Sequence, residues 1–140
     1  MQKDNTATMT LYLRFVDLPK SFRPGTSHVY PPFKNGRYME EFVFHYLADH
    51  RASIQTEWIY LPVYWTHLQN HPAFDRMRAN YQTLLDRAIH AFQMSQSPLQ
   101  STPLQFFTVV QHDDGPQLRL PPGTVVFGAC TGTIPLPLIY

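Results

Sequence analysis

The sequence predicts an α/β layer fold built on a mostly parallel sheet. An uninterrupted apolar run, Phe106-Phe107-Thr108-Val109-Val110, breaks abruptly into Gln111-His112-Asp113-Asp114-Gly115-Pro116. A short β-rich run bounded by Gly and Pro reads as a strand covered on both faces, the kind found in parallel sheets. Two amphipathic helical patterns, opening at Tyr38 and at His71-Pro72, lie between apolar runs of strand character. The resulting order of strand, helix, strand, helix, strand, strand is that of an α/β layer.

Residues 1–8 are polar and unpatterned. Over 9–17, Leu11, Leu13 and Phe15 alternate with Thr10, Tyr12 and Arg14, which predicts a first strand. Residues 18–35 hold Pro19, Pro24, Pro31 and Pro32, which exclude helix and leave an extended loop. From Tyr38, the spacing of Met39, Phe42, Val43, Tyr46 and Leu47 predicts a helix with those residues inward. Glu40, Glu41, His45 and Asp49 then face solvent, and the first-turn carboxylates suit the helix dipole. Residues 58–65 predict a second strand, with Pro62 at its end or at a bulge, because proline cannot donate to the ladder.

Pro72 is placed as a first-turn proline of a long helix whose inner face carries Phe74, Met77, Arg78, Tyr81, Leu84, Leu85, Ala88 and Phe92. Residues 95–103 form a polar linker into the strand at 106–110. A turn over 118–123, a buried strand over 124–130 and an extended, proline-interrupted tail follow. The tail closes on Ile134-Pro135-Leu136-Pro137-Leu138-Ile139-Tyr140, an apolar ending expected of one half of something larger. The domain organisation expected is a first strand and proline-rich loop over 1–37 and an α/β core over 38–140.

Eleven basic and ten acidic residues are spread along the chain and sum to +1, so no basic stripe serves a phosphate backbone and nucleic-acid binding is not expected. Hydrophobic content of 44% with 15% charged residues argues for a packed core and against disorder. The single cysteine, Cys130, cannot form an internal disulfide and reads as a small buried side chain. No apolar stretch has the length of a membrane span, and Met1-Gln2-Lys3-Asp4-Asn5 lacks the apolar run of a signal peptide. The chain is expected to be soluble as given, with a cytoplasmic location open.

The chemistry concentrates where strands end, because ligands of parallel sheets sit at strand carboxyl ends. His112, Asp113 and Asp114 leave the 106–110 strand together, and Gly115 turns the backbone. This cluster can serve as a general base, bind a divalent cation or hydrogen-bond sugar hydroxyls; the plainer reading is an Asp capping the turn before Gly115-Pro116. Thr66, His67, Gln69, Asn70 and His71 leave the second strand, on the same rim if the strands are parallel. His67 and His71 have a zinc-like spacing, but no Glu lies between them and the segment reads as a loop, so hydroxyl binding or helix capping is the stronger expectation. Lys34 and Arg37 close an aromatic loop, Tyr30 to Tyr38, of a composition that can clamp a glycan or be pinned to the core. Glu40 and Glu41 read as a solvated helix start.

Three segments taken in order, Tyr38-Met39-Glu40-Glu41-Phe42-Val43-Phe44-His45, Trp58-Ile59-Tyr60-Leu61-Pro62-Val63-Tyr64-Trp65-Thr66 and Phe107-Thr108-Val109-Val110-Gln111-His112-Asp113-Asp114-Gly115-Pro116, resemble the amino-terminal half of exostosin-like glycosyltransferases. The likeness covers roughly residues 38–140. It departs from the family at Asp114, which stands where the family's H-D-W-G-P segment has an aromatic, and at Gln105-Phe106, which replace an Asp-His.

The resemblance implies a three-layer Rossmann-like domain, one half of a GT-B architecture, on the acceptor side of an inverting, nucleotide-sugar-dependent transferase acting in glycan or polysaccharide synthesis. His112 or Asp113 would orient the acceptor or take its proton. Asp114, Gly115, Thr66, His67, Gln69, Asn70, Arg37 and Lys34 would contact substrate. A carboxyl-terminal half would hold the donor, so that this chain alone is expected to be inactive, and no divalent metal or other cofactor is implied. The alternative is a stand-alone carbohydrate-binding or interaction module. A hydrolase using His112 and Asp113 lacks a G-x-S-x-G elbow to support it.

Overall fold

A computed structural model of the chain describes residues 11–24, 38–96, 103–112 and 114–128, together with the backbone of 134–135. The elements run β1 (Arg14–Phe15), a 3₁₀ turn (Lys20–Phe22), α1 (Met39–His50), β2 (Ile59–Tyr60), α2 (Trp65–Asn70), α3 (Phe74–Met94), β3 (Phe106–Val110), β4 (Val125–Gly128) and β5 (Ile134–Pro135). The strands form one parallel sheet ordered as in the sequence. The architecture is the α/β class with a parallel sheet that the pattern predicts, and β3 occupies its predicted residues.

The first two strands are shorter than their sequence patterns. β1 is preceded by an antiparallel bridge between Tyr12 and Gln55, where Leu13 N donates to Ile54 O, so the chain before the strand pairs outside the parallel ladder. In β2 the ladder ends as Pro62 predicts: Leu61 N still donates to Phe107 O, but Val63 N turns back onto Leu61 O. Trp65 does not close the strand; it opens α2, and the polar stretch predicted as a loop is helical through Asn70. β5, the last strand in the sheet order, sets Pro135 opposite Gly128, and an edge strand is where a sheet tolerates proline.

Register divides the side chains between the two faces of the sheet. Ile59, Leu61, Phe106 and Val110 meet Leu85 and Ile89 of α3, Trp65 and Leu68 of α2, and Phe22 in the principal core. The intervening row is aromatic: Phe15 meets Tyr60 at 5.0 Å between centroids, Tyr60 stacks on Phe107 at 5.3 Å, and Phe44 of α1 approaches Phe15 at 6.1 Å.

The face of α1 differs from its predicted orientation. In α1, Glu40 and Glu41 are buried while Phe42 and Tyr46 are more than half exposed. The reading of Glu40-Glu41 as a solvated start is therefore corrected; both carboxylates find buried partners on α2 and at the end of β3, which outweighs the apolar spacing. In α3 the predicted face is largely kept: Phe74 and Leu85 are buried and Tyr81, Leu84, Ala88 and Phe92 pack against the core, while Met77 and Arg78 point outward and Gln82 and Ile89 join the inner positions.

Thr108 shows how a polar side chain is accommodated in the core. It is fully buried in the middle of β3, accepts the indole N–H of Trp65 at 2.9 Å and donates to Leu61 O at 2.9 Å. A buried donor or acceptor left without a partner costs about 1–3 kcal/mol. Thr108→Val keeps the shape but strands the Trp65 indole, and chemical denaturation is expected to show a loss of about 2 kcal/mol. An unchanged denaturation midpoint would contradict this role.

Candidate functional site

The strand following each crossover delivers polar residues to the carboxyl rim of the sheet, and there the two predicted clusters meet. His112, two residues past β3, bonds through Nε2 to Asn70 Oδ1 at 3.1 Å, across 42 positions of sequence. Gln69 binds the same segment: its Nε2 donates to Gly115 O at 3.0 Å, and its Oε1 accepts Gln117 N at 2.6 Å. The expectation that the polar ends of β2 and β3 share a rim is met. Gly115 sits at φ 71°, the left-handed region that favours glycine, and its N–H closes a turn onto His112 O.

Beneath this rim lies a cluster the sequence reading assigned to solvent. Glu40 Oε2 accepts the Thr66 hydroxyl at 2.8 Å and the backbone N–H of Gln111 at 2.7 Å. Gln111 returns the contact, because its side-chain Oε1 accepts Met39 N, the first N–H of α1, at 2.6 Å. The end of β3 and the start of α1 thus cap each other. Glu40 Oε1 is buried and has no hydrogen-bond partner among the described residues. Burial pushes the Glu40 carboxyl above its ordinary value of 4.5, against the opposing pull of the Gln111 N–H and the Thr66 hydroxyl. Burial, with Tyr64 and Glu40 nearby, also raises the Tyr60 phenol.

The neighbouring carboxylate, Glu41, accepts a hydrogen bond from His67 Nε2 at 2.5 Å, with the two side chains 1% and 6% exposed. Tyr38 stands edge-on to the His67 ring at 4.8 Å, and Tyr64 lies at 6.1 Å.

The predicted site residues therefore separate into distinct groups. Thr66 and Gln69 are buried and engaged by protein partners, so they shape the rim rather than face a ligand from it. Asn70 and Asp114 are exposed and His112 half-exposed. Both ring nitrogens of His112 are occupied, Nε2 by Asn70 and Nδ1 by the Asp114 N–H, which leaves no spare lone pair for proton transfer. His71 is not paired with His67 as a metal ligand; its Nδ1 accepts Ala73 N. Asp113, Lys34, Arg37 and Cys130 lie outside the described residues. Among the described residues no group of three or more His, Cys, Asp or Glu side chains is arranged to hold a metal ion, and no helix is long and apolar enough to cross a membrane.

No protein-family model matches the chain, and searches among curated proteins and among solved structures also return no match.

Glu40 makes stability depend on pH in a defined direction. A carboxyl whose folded value lies above its unfolded one stabilises most when protonated in both states, and that contribution is lost as pH rises from about 4.5 through the folded value. Glu40→Gln keeps a carbonyl oxygen for Thr66 and Gln111 but cannot ionise. Relative to wild type, this variant is expected to gain stability progressively above pH 4.5. Parallel pH profiles of the two melting temperatures would refute the assignment.

Proposed function

We propose that this chain is the acceptor-side domain of an inverting, nucleotide-sugar-dependent glycosyltransferase of the exostosin-like kind. On this reading the parallel sheet and its helices are the three-layer, Rossmann-like half of a GT-B enzyme, and the nucleotide sugar is held by a carboxyl-terminal half. The observation that carries the proposal is the hydrogen bond joining His112 to Asn70, because it ties the segment leaving β3 to the end of α2, the helix that follows β2, on the rim where α/β sheets bind ligands.

The exposed groups there suit sugar hydroxyls. Asn70 offers an amide, Asp114 a carboxylate, and Gln117 a half-exposed amide that already donates to Asp114 Oδ2 at 3.3 Å. Hydroxyls both donate and accept, so a rim of mixed donors and acceptors can orient a glycan without burying a charge. The filled ring nitrogens of His112 favour a binding role for this loop over proton transfer. That same feature supports a second reading, a carbohydrate-binding module without catalysis.

A glycan array probed with the chain, alongside Asn70→Ala and His112→Ala, tests the binding surface. Wild type is expected to retain a defined set of oligosaccharides and each variant to lose about tenfold in affinity, or about 1.4 kcal/mol, with little change in melting temperature. Absence of binding by wild type, or full retention by both variants, would count against the rim.

A further inference from the structure

The Asn70–His112 contact is bracketed by two histidines, and each uses its ring to accept a backbone N–H. His112 Nδ1 takes the N–H of Asp114 at 3.1 Å while its Nε2 faces Asn70 Oδ1 at 3.1 Å. His71, the residue after Asn70, takes the N–H of Ala73 on its own Nδ1 at 3.0 Å. An imidazole nitrogen accepts a hydrogen bond only while it carries no proton, so both rings must be neutral for these two contacts to exist. The tautomer follows: each ring carries its hydrogen on Nε2, and His112 donates it to Asn70.

These two contacts hold the turns that present the rim. Ala73 is the N-cap of α3, and His71 O accepts Phe74 N at 2.9 Å, so ring and carbonyl of His71 together shape the turn leaving Asn70. Asp114 N lies in the turn that Gly115 N closes onto His112 O at 3.0 Å, and that turn sets the exposed Asp114 carboxylate 3.3 Å from Gln117 Nε2. His71 is exposed and His112 half-exposed, in contrast to His67, which is buried against Glu41. The charged and titratable groups on the surrounding elements are Asp114 on the His112 turn, Glu40 and Glu41 of α1, engaged by Gln111 N and His67, and Asp75, Arg76 and Arg78 at the start of α3, where Asp75 pairs with Arg78.

We propose that the rim is gated by pH: with His71 and His112 neutral it presents Asn70 and Asp114 as described, and protonation of the two rings releases the turns on either side of Asn70, and with them a bound glycan. The gate follows from these hydrogen bonds, whereas the identity of its ligand rests on the sugar-binding reading above. A proton arriving at His112 Nδ1 takes the lone pair that the Asp114 N–H uses, so a donor then faces a donor. The Asp114 N–H turns to water, and its carboxylate is drawn from Gln117 toward the imidazolium, which removes an acceptor from sugar hydroxyls. At His71 the same event deprives Ala73 N of its acceptor. Nε2–H of His112 still donates to Asn70, so the rim rearranges while the fold persists. The rim is complete where histidine is neutral and is lost as pH falls through the range from about 8 to about 5 in which the side chain takes up its proton.

Nitrogen-15 spectra of the unmodified chain test the gate without depending on a variant folding. At about pH 8 both rings are expected to be bare at Nδ1 and protonated at Nε2, and on descent to about pH 5 the amides of Ala73 and Asp114 are expected to shift in step with their ring nitrogens. His112→Asn places an oxygen near the position of Nδ1 but takes up no proton. Its Asp114 amide is expected to hold still over the same range, which separates the ring from the titration of nearby carboxylates. The oligosaccharide array, probed with wild type at about pH 7.5 and about pH 5.5, is expected to lose at least about fivefold in retention at the lower value. Rings protonated at Nδ1 at about pH 8, amides that do not follow the rings, an Asp114 amide that titrates unchanged in His112→Asn, or equal retention of a bound oligosaccharide at both pH values would each overturn the gate. Amides that follow the rings, with no oligosaccharide retained at either pH, would leave the gate standing and overturn the sugar-binding reading.

Discussion

The described fold depends on one buried carboxylate. Glu40 sits where the carboxyl end of β3, the first turn of α1 and the start of α2 converge, and its Oε2 takes a hydrogen bond from both Gln111 N and Thr66. Burying a carboxylate is costly unless charge-assisted hydrogen bonds offset it. Among the described residues Glu40 has such bonds on one oxygen and none on the other, and burial is the largest influence on its titration.

The segment after β3 extends the same principle. Among the described residues from Gln111 to Arg119 there is no helix or strand, so their backbone groups need other partners. Side-chain amides supply them: Gln69 spans Gly115 O and Gln117 N, and Gln82 of α3 spans Arg119 O and N at 3.1 and 2.7 Å. A glutamine side chain carries a donor and an acceptor like a peptide group, so it can serve as a one-residue strand beside an irregular loop. The consequence for the rim is a division of labour. Gln69, Thr66 and Glu40 fix its shape, while Asn70, His112 and Asp114 remain at the surface.

Much of this was legible in the sequence, and the failures have identifiable causes. The apolar run ending in Gln111-His112 located β3, and Pro62 marked where the β2 ladder stops, because both signals are local. The meeting of the two polar clusters followed from parallel topology. Periodicity misjudged α1, since it ranks Phe42 and Tyr46 as inner residues and Glu40 and Glu41 as outer ones; their partners lie 26 and 71 positions away, beyond any local pattern. A usable signal was nevertheless present. A helix that follows a strand in a parallel sheet begins at the carboxyl rim, so the first-turn acids of α1 had to lie near the polar residues leaving β2. Gln69 and Gln82 were hidden for the same reason, as nothing in a glutamine's neighbours reveals that it will pair with a backbone.

The claim that Glu40 joins these elements energetically is tested most directly by a double-mutant cycle. Glu40→Ala, Thr66→Val and the pair are compared by equilibrium denaturation, so that the coupling between α1 and α2 is separated from the cost of each truncation. The account predicts a coupling energy of about 1.5–3 kcal/mol, the range for a buried hydrogen bond to a charged group. Additive losses, with a coupling within about 0.3 kcal/mol of zero, would contradict it.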